Sequence, residues 1–186
     1  MREEVKKCVD ILRKGGTILY PTDTIWGIGC DATNEEAVRK IFSIKKRPES
    51  KSMIVLMADP NLIGFYAEVP SVAMDLVEYA EKPLTIIYPK AKRLAPSLIA
   101  EDGTIGIRVV KDEFCEQLIN QLRKPIVSTS ANISGEPAPG NFSEISEAIK
   151  QSVDYVVDLR QDETKKSASS TIFKIGLDGR IEIIRK

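Results

Sequence analysis

Residues 15–31 constrain the fold more than any other stretch: Gly-Gly-Thr-Ile-Leu-Tyr-Pro-Thr-Asp-Thr-Ile-Trp-Gly-Ile-Gly-Cys-Asp. The apolar run 17–20 reads as a buried strand. Pro21 has no N–H to give a sheet ladder, so regular pairing should falter there. Three small polar side chains follow (Thr22, Asp23 and Thr24), then Gly27 and Gly29, which permit backbone angles and close approaches closed to other residues. A strand that stops on hydroxyls and glycines builds a binding lip. The same residues also suit an ordinary turn rich in Thr, Asp and Gly, and this stretch alone does not choose between the two.

The flanking pattern fixes the class. Val5, Cys8, Val9 and Leu12 recur at helical spacing, so 2–14 should form an amphipathic helix that Gly15 closes. Thr33-x-x-Glu36 reads as a capping box for a helix that buries Ala37, Ile41 and Phe42 and runs to about Lys46. The run 53–57 is a strand, and Asp59-Pro60 opens a short helix. Ser71 opens another, with Met74, Leu76 and Val77 as core candidates. Residues 84–88, 104–110 and 125–128 read as strands. Asp112 caps a helix burying Phe114, Leu118 and Leu122, and Ser143 caps one using Ile145, Ala148 and Ile149. Residues 153–159 read as a strand and 160–169 as a mobile polar loop. Residues 170–175 and 180–185 form a hairpin around Asp178-Gly179. Seven or eight strands among five or six helices make one α/β domain over residues 1–186, with an open, mixed sheet.

Composition removes several chemistries. The 186 residues include no histidine, which excludes a Ser-His-Asp triad, Cys-His pairs, His-based metal sites and an imidazole base. The 27 basic and 27 acidic side chains cancel, so no global field favours nucleic acid. Cys8, Cys30 and Cys115 are far apart and odd in number, which suits reduced thiols in a cytoplasm and no disulfide framework or zinc knuckle. No apolar run approaches the roughly 18 residues of a membrane span.

Gly27-x-Gly29-x-x-Ala32 formally matches a dinucleotide-binding fingerprint. Its context is wrong, because Pro21-Thr-Asp-Thr separates the glycines from the strand and the next helix has its own cap. No P-loop is present. More telling, several elements end on polar groups. The helix after the lip exits to Lys45-x-Arg47-x-x-x-Lys51. The 104–110 strand carries Thr104 and Arg108. The strand after Pro125 ends in Ser128-x-Ser130-x-Asn132. The last strands open on Ser169-Ser170-Thr171 and close on Arg185. Cations with many hydroxyls and amides describe a pocket for a polyanion plus a small polar molecule. Taken singly, each also suits a cap, a solvated helix end or a core ion pair.

The stretch 15–31 with Ala32, then Lys45-Lys-Arg-Pro, Gly106-Ile-Arg-Val, Ser128-Thr-Ser-Ala-Asn-Ile-Ser-Gly and Ser170-Thr-Ile resemble the YrdC-like family of L-threonylcarbamoyladenylate synthases. The resemblance follows the family's order over nearly the whole chain. It implies an open twisted α/β sheet around a concave, positively charged hollow. It also implies synthesis of threonylcarbamoyl-AMP and pyrophosphate from L-threonine, bicarbonate and ATP with Mg2+. That product serves the N6-threonylcarbamoyl modification of adenosine 37 in tRNAs reading codons that begin with A. A downstream tRNA threonylcarbamoyl-transferase complex is the implied partner, with tRNA or RNA as a further one and no membrane.

Carried over by position, Thr24, Arg108 and Thr171 correspond to threonine contacts. Arg47 and Lys51 correspond to ATP phosphate contacts, and Thr104, Ser128, Ser130, Ala138 and Arg185 to nucleotide contacts. Lys45 and Arg47 form the family's Lys-x-Arg element, paired with Ser130-x-Asn132, and these four carry the catalytic expectation; no residue is expected to hold a metal. Trp26 stands where tyrosine is usual, Glu81-Lys82 replaces Pro-Gly, and Leu56 takes a position where some members place histidine. Two alternatives remain: an RNA-binding module using the same hollow, and a carbamoyl-adenylate domain of the hydrogenase-maturation type. The first conflicts with zero net charge, the second with the lack of zinc-finger and acylphosphatase segments.

Overall fold

The computed structural model describes residues 1–49 and 52–186. In chain order the elements are α1 (Arg2–Arg13), β1 (Ile18–Tyr20), β2 (Gly27–Gly29), α2 (Glu35–Lys45), β3 (Ile54–Met57), α3 (Ile63–Tyr66), α4 (Ser71–Tyr79), β4 (Leu84–Tyr88), β5 (Ile105–Val109), α5 (Glu113–Leu122), β6 (Ile126–Ser130), α6 (Glu147–Ser152), β7 (Tyr155–Val156), β8 (Thr171–Ile175) and β9 (Ile181–Arg185). The strands join one mixed sheet in the order β7-β1-β2-β6-β3-β5-β4-β8-β9. β1–β7, β3–β5 and β4–β8 pair parallel, and the remaining neighbours pair antiparallel. The expected α/β class and mixed sheet are what forms.

Pro21 ends β1, but the chain does not then pass through a glycine loop. Residues 21–26 turn back, and Gly27–Gly29 form a strand of their own, with Ile18 opposite Gly29 and Tyr20 opposite Gly27. The reason is steric. Tyr20 is fully buried, and its hydroxyl donates to the Val127 carbonyl at 3.0 Å. A Cβ on Gly29 would stand 2.5 Å from that carbonyl oxygen and 2.6 Å from a Tyr20 ring carbon. The glycine therefore lets a tyrosine ring pass between strands, and the lip is confined to 21–26.

Other boundaries shift for local reasons. The cap of α2 is Asn34, whose side chain accepts from Ala37 N–H, because the Thr33 hydroxyl is already spent on Asp31 at 2.6 Å. The α6 cap is Ser146 and not Ser143, which lies in a 3-10 turn over Phe142–Glu144. The 153–159 strand shortens to Tyr155–Val156 beside β1. Within α4 only Ala73 is buried, while Leu76 and Val77 pack against the core half-exposed.

The core lies between the sheet and its helices. From α1 it receives Val5, Cys8, Val9 and Leu12, and from α5 Phe114, Leu118 and Leu122. All three cysteines are buried and free. Among the described residues no helix is long and apolar enough to cross a membrane.

The packing at β2 predicts an asymmetry between its two glycines. Gly29→Ala should cost about 3 kcal/mol, since the intruding methyl meets a fixed carbonyl. Gly27→Ala should cost less than about 1 kcal/mol, because its Cβ would meet the rotatable Ser128 hydroxyl at 3.2 Å. Urea unfolding of the two variants checks this, and equal losses would contradict it.

Candidate active site

Cross-strand partners point to the same side of a sheet, and the register therefore sets one band of side chains in line. Ser128 lies opposite Ile54, Ser130 opposite Gly27, Arg108 opposite Thr85, and Ile172 opposite both Thr85 and Arg185. This band floors an open hollow of about 240 Å³. Its wall takes Thr24, Trp26 and Gly27 from the lip and β2, Arg47 after α2, and Ser169 and Ser170 ahead of β8. Gly27 contributes space and Ser130 a hydroxyl at the same register.

Among the described residues, three guanidinium groups (Arg47, Arg108 and Arg185) line this hollow and no carboxylate does. Arg108 is buried in the middle of β5. Its Nη2 lies 3.1 Å from Asp23 Oδ1 and 3.4 Å from the Thr22 hydroxyl. The first contact is ionic without an aligned N–H, and Arg108 Nε has no hydrogen-bond partner among the described residues. A buried N–H without a partner is rare and costly. Here it provides a donor for an anion. Arg185 donates twice to the Ser170 carbonyl, at 2.7 and 3.0 Å. Burial, then the like charge of Arg108, holds the Arg185 pKa below the ordinary guanidinium value. Arg47 donates to the Ser52 carbonyl at 2.9 Å, and burial lowers its pKa too.

Lys45 faces the other way. It is buried, and its ammonium donates to the carbonyls of Ser130 (2.5 Å) and Asn132 (2.6 Å), with Asn132 Oδ1 at 3.4 Å. Burial, then Arg47, pulls its pKa down to about 8. Asn132 is turned into its own loop, where its amide donates to the Ile133 and Glu136 carbonyls. The Lys-x-Arg and Ser-x-Asn elements do meet, with the two shortest contacts made to main-chain carbonyls and a longer one to Asn132 Oδ1. Lys46 in the left-handed conformation (φ 49°) ends α2 between the two cations, so Lys45 grips the wall from behind while Arg47 faces the hollow.

Among the described residues, the remaining expectations fall outside the wall. Thr171 alternates with Ile172 along β8 and is not in the wall, which takes Ser169, Ser170 and Ile172 instead. The Ser170 hydroxyl shares a 2.8 Å hydrogen bond with Thr85. Thr104 spends its hydroxyl on Asp102 at 2.6 Å, ahead of β5. Ala138 is exposed on the loop after β6. Leu56 is buried opposite Arg108. Lys51 lies outside the described residues. The run Ser169-Ser170-Thr171 reads in the sequence as a polar strand opening, but only the structure shows that the two serines and not the threonine line the hollow.

A family model covering Sua5, YciO and YrdC proteins, described as telomere recombination, matches residues 10–186. The chain belongs to the Sua5/YciO/YrdC family. A Methanocaldococcus jannaschii relative is 38% identical over 186 residues, covering 97% of this chain and 86% of its own. The threonylcarbamoyl-AMP synthase of Idiomarina loihiensis is 35% identical over 149 residues, covering 78% of this chain and 80% of its own. The crystal structure of P. abyssi Sua5 complexed with L-threonine superposes with a TM-score of 0.82 at 26% identity, covering 92% of this chain. This chain spans 50% of that Sua5 chain.

The grip of Lys45 predicts a stability effect with no ligand present. Lys45→Met takes the ammonium from the half-buried Ser130 and Asn132 carbonyls, of which Ser130 keeps the Asn132 N–H at 2.9 Å, and should cost about 2 kcal/mol, a fall of about 4–8 °C in the unfolding midpoint. A midpoint unchanged in thermal denaturation would show that the lysine does not hold the wall.

Proposed function

We propose that the chain is an ATP-dependent synthase of threonylcarbamoyl-AMP, serving N6-threonylcarbamoyl modification of tRNA. The observation that carries this is the hollow itself: among the described residues, three guanidinium groups facing serine and threonine hydroxyls, with no carboxylate in the wall. Such a wall suits an amino-acid carboxylate and a polyphosphate side by side. The relative with L-threonine bound supports the amino-acid half, and the name of the Idiomarina relative supports the adenylate half.

In this reading Arg108 takes the threonine carboxylate through its vacant Nε, with Thr24 beside it. The threonine amine attacks bicarbonate, so an N–C bond forms and water leaves. An oxygen of the resulting carbamate attacks the α-phosphorus of ATP, and pyrophosphate departs as the bond to the β-phosphate oxygen breaks. Negative charge shifts onto phosphate oxygens, and Arg47 and Arg185 stand ready for it without rearrangement, as electrostatic catalysis requires. Ser128 and Ser130 offer hydroxyls to the nucleotide. Lys51 belongs with Arg47 on the phosphates. Thr104, Ala138 and Thr171 serve where the nucleotide and threonine reach past the wall, since about 240 Å³ does not enclose both. Lys45 and Asn132 act by holding the Ser130 segment in place.

Among the described residues no group of three or more His, Cys, Asp or Glu is placed to hold a metal ion. Magnesium fits as the counter-ion that ATP carries in. The product passes to a tRNA threonylcarbamoyl-transferase complex, and tRNA is the partner at that stage.

The test is pyrophosphate release from ATP with threonine and bicarbonate supplied or withheld. Release should require both, and Arg108→Ala should raise the threonine KM by about 100-fold, the loss of a charge-assisted pair. Release that ignores threonine rejects the reading. RNA binding with a steep salt dependence and no threonine-dependent ATP consumption would favour an RNA-binding module instead.

A further inference from the structure

Residues 160–169 do not hang free of the sheet. Asn141 donates its side-chain amide to the Thr164 carbonyl at 3.1 Å, Ser167 N–H donates to the Gly140 carbonyl at 3.0 Å, and Lys166 pairs with Glu144 at 2.5 Å. At the head of this strap is Arg160, held in the left-handed region at φ 58°. An arginine there is strained relative to glycine or asparagine. Its side chain makes use of the position. One guanidinium nitrogen donates to the Thr22 carbonyl at 3.3 Å and to Asp112 Oδ2 at 2.9 Å, while Nε donates to Glu163 at 2.8 Å.

Both acceptors sit at decisive points. Asp112 caps α5, its other oxygen accepting from Cys115 N–H at 3.0 Å, so that end of the clamp is anchored to a helix. Thr22 is the hub of the lip. Its hydroxyl donates to the Ile25 carbonyl at 2.8 Å and accepts from Thr24 N–H at 3.0 Å. It also lies 3.0 Å from the Thr24 hydroxyl and 3.4 Å from Arg108 Nη2. Arg160 therefore holds from outside the residue that orders Thr24 and Arg108 from inside, without itself lining the hollow.

We infer that Arg160 is a positioning residue for threonine: it fixes the lip by tying the Thr22 carbonyl to the capped end of α5. This rests on the reading of the hollow as a threonine and ATP site. Arg47 and Arg185 stand on other elements, so the effect belongs to the amino acid and not to the nucleotide.

Arg160→Gly removes the guanidinium and relieves the left-handed backbone, so the fold is retained. The threonine KM should rise roughly tenfold while the ATP KM stays within about twofold. Arg160→Lys, which still reaches Asp112, should recover part of the loss. Asp112→Asn keeps the helix cap but weakens the clamp, and combined with Arg160→Gly it should add little. Trp26, the single tryptophan, lies on the lip against Phe142 at 4.7 Å between ring centroids. Acrylamide quenching of its fluorescence should increase in Arg160→Gly even without substrates. An unchanged threonine KM with unchanged quenching overturns the inference, as does an equal rise in both KM values. If the unsubstituted protein releases pyrophosphate regardless of threonine, the site reading fails, and the quenching alone then decides whether Arg160 orders the lip.

Discussion

The structure turns on the burial of Arg108 in the middle of β5 with only part of its hydrogen-bonding capacity met. Taking a guanidinium out of water is expensive, and a single carboxylate offsets it only in part. Asp23 lies 3.1 Å away on the lip, the Thr22 hydroxyl is at 3.4 Å, and Nε has no partner among the described residues. An arginine held in this state is prepared for an anion that completes its bonding. The lip therefore has two tasks. It gives Arg108 a carboxylate partner, and it leaves Nε as the donor that the proposed threonine carboxylate would take.

The surrounding fold makes that arrangement rigid. Tyr20 crosses Gly29 to reach the Val127 carbonyl and so fixes β1, β2 and β6 relative to one another. Lys45 then holds the end of β6 through the carbonyls of Ser130 and Asn132. Arg185, at the far side, is bound to the Ser170 carbonyl. Each anchor uses main-chain acceptors, while the Thr24 hydroxyl is shared with Thr22 inside the lip at 3.0 Å. Like charges converge at Arg47, Arg108 and Arg185, a repulsion that the proposed anionic substrates would relieve.

Much of this was legible in the residues. The alternation of apolar runs with helical spacing gave the α/β class, and polar residues at the ends of those runs located the hollow. What escaped was set by contacts between distant segments. Gly27 and Gly29 read as flexible joints, yet they form a strand because a tyrosine ring passes over them. Lys45 and Arg47, two residues apart, read as one catalytic Lys-x-Arg element. A left-handed turn at Lys46 sends one inward and the other outward. Thr171 and Ser170 could not be told apart without the register of β8 on β4. The polar run 160–169 looked mobile because its partners, Thr22, Asp112 and Gly140, are remote in sequence.

Arginine side chains report their own bonding, which allows the account to be tested at a single atom. In nitrogen-15 spectra of the protein, the Nε–H signal of Arg108 should be identifiable by its loss in Arg108→Lys. On addition of L-threonine it should shift and become protected from exchange with water, while the exposed Arg39 and Arg13 signals stay where they are. An Arg108 Nε–H resonance unmoved by saturating threonine, with ATP present or absent, would contradict the claim that this buried donor awaits the substrate carboxylate.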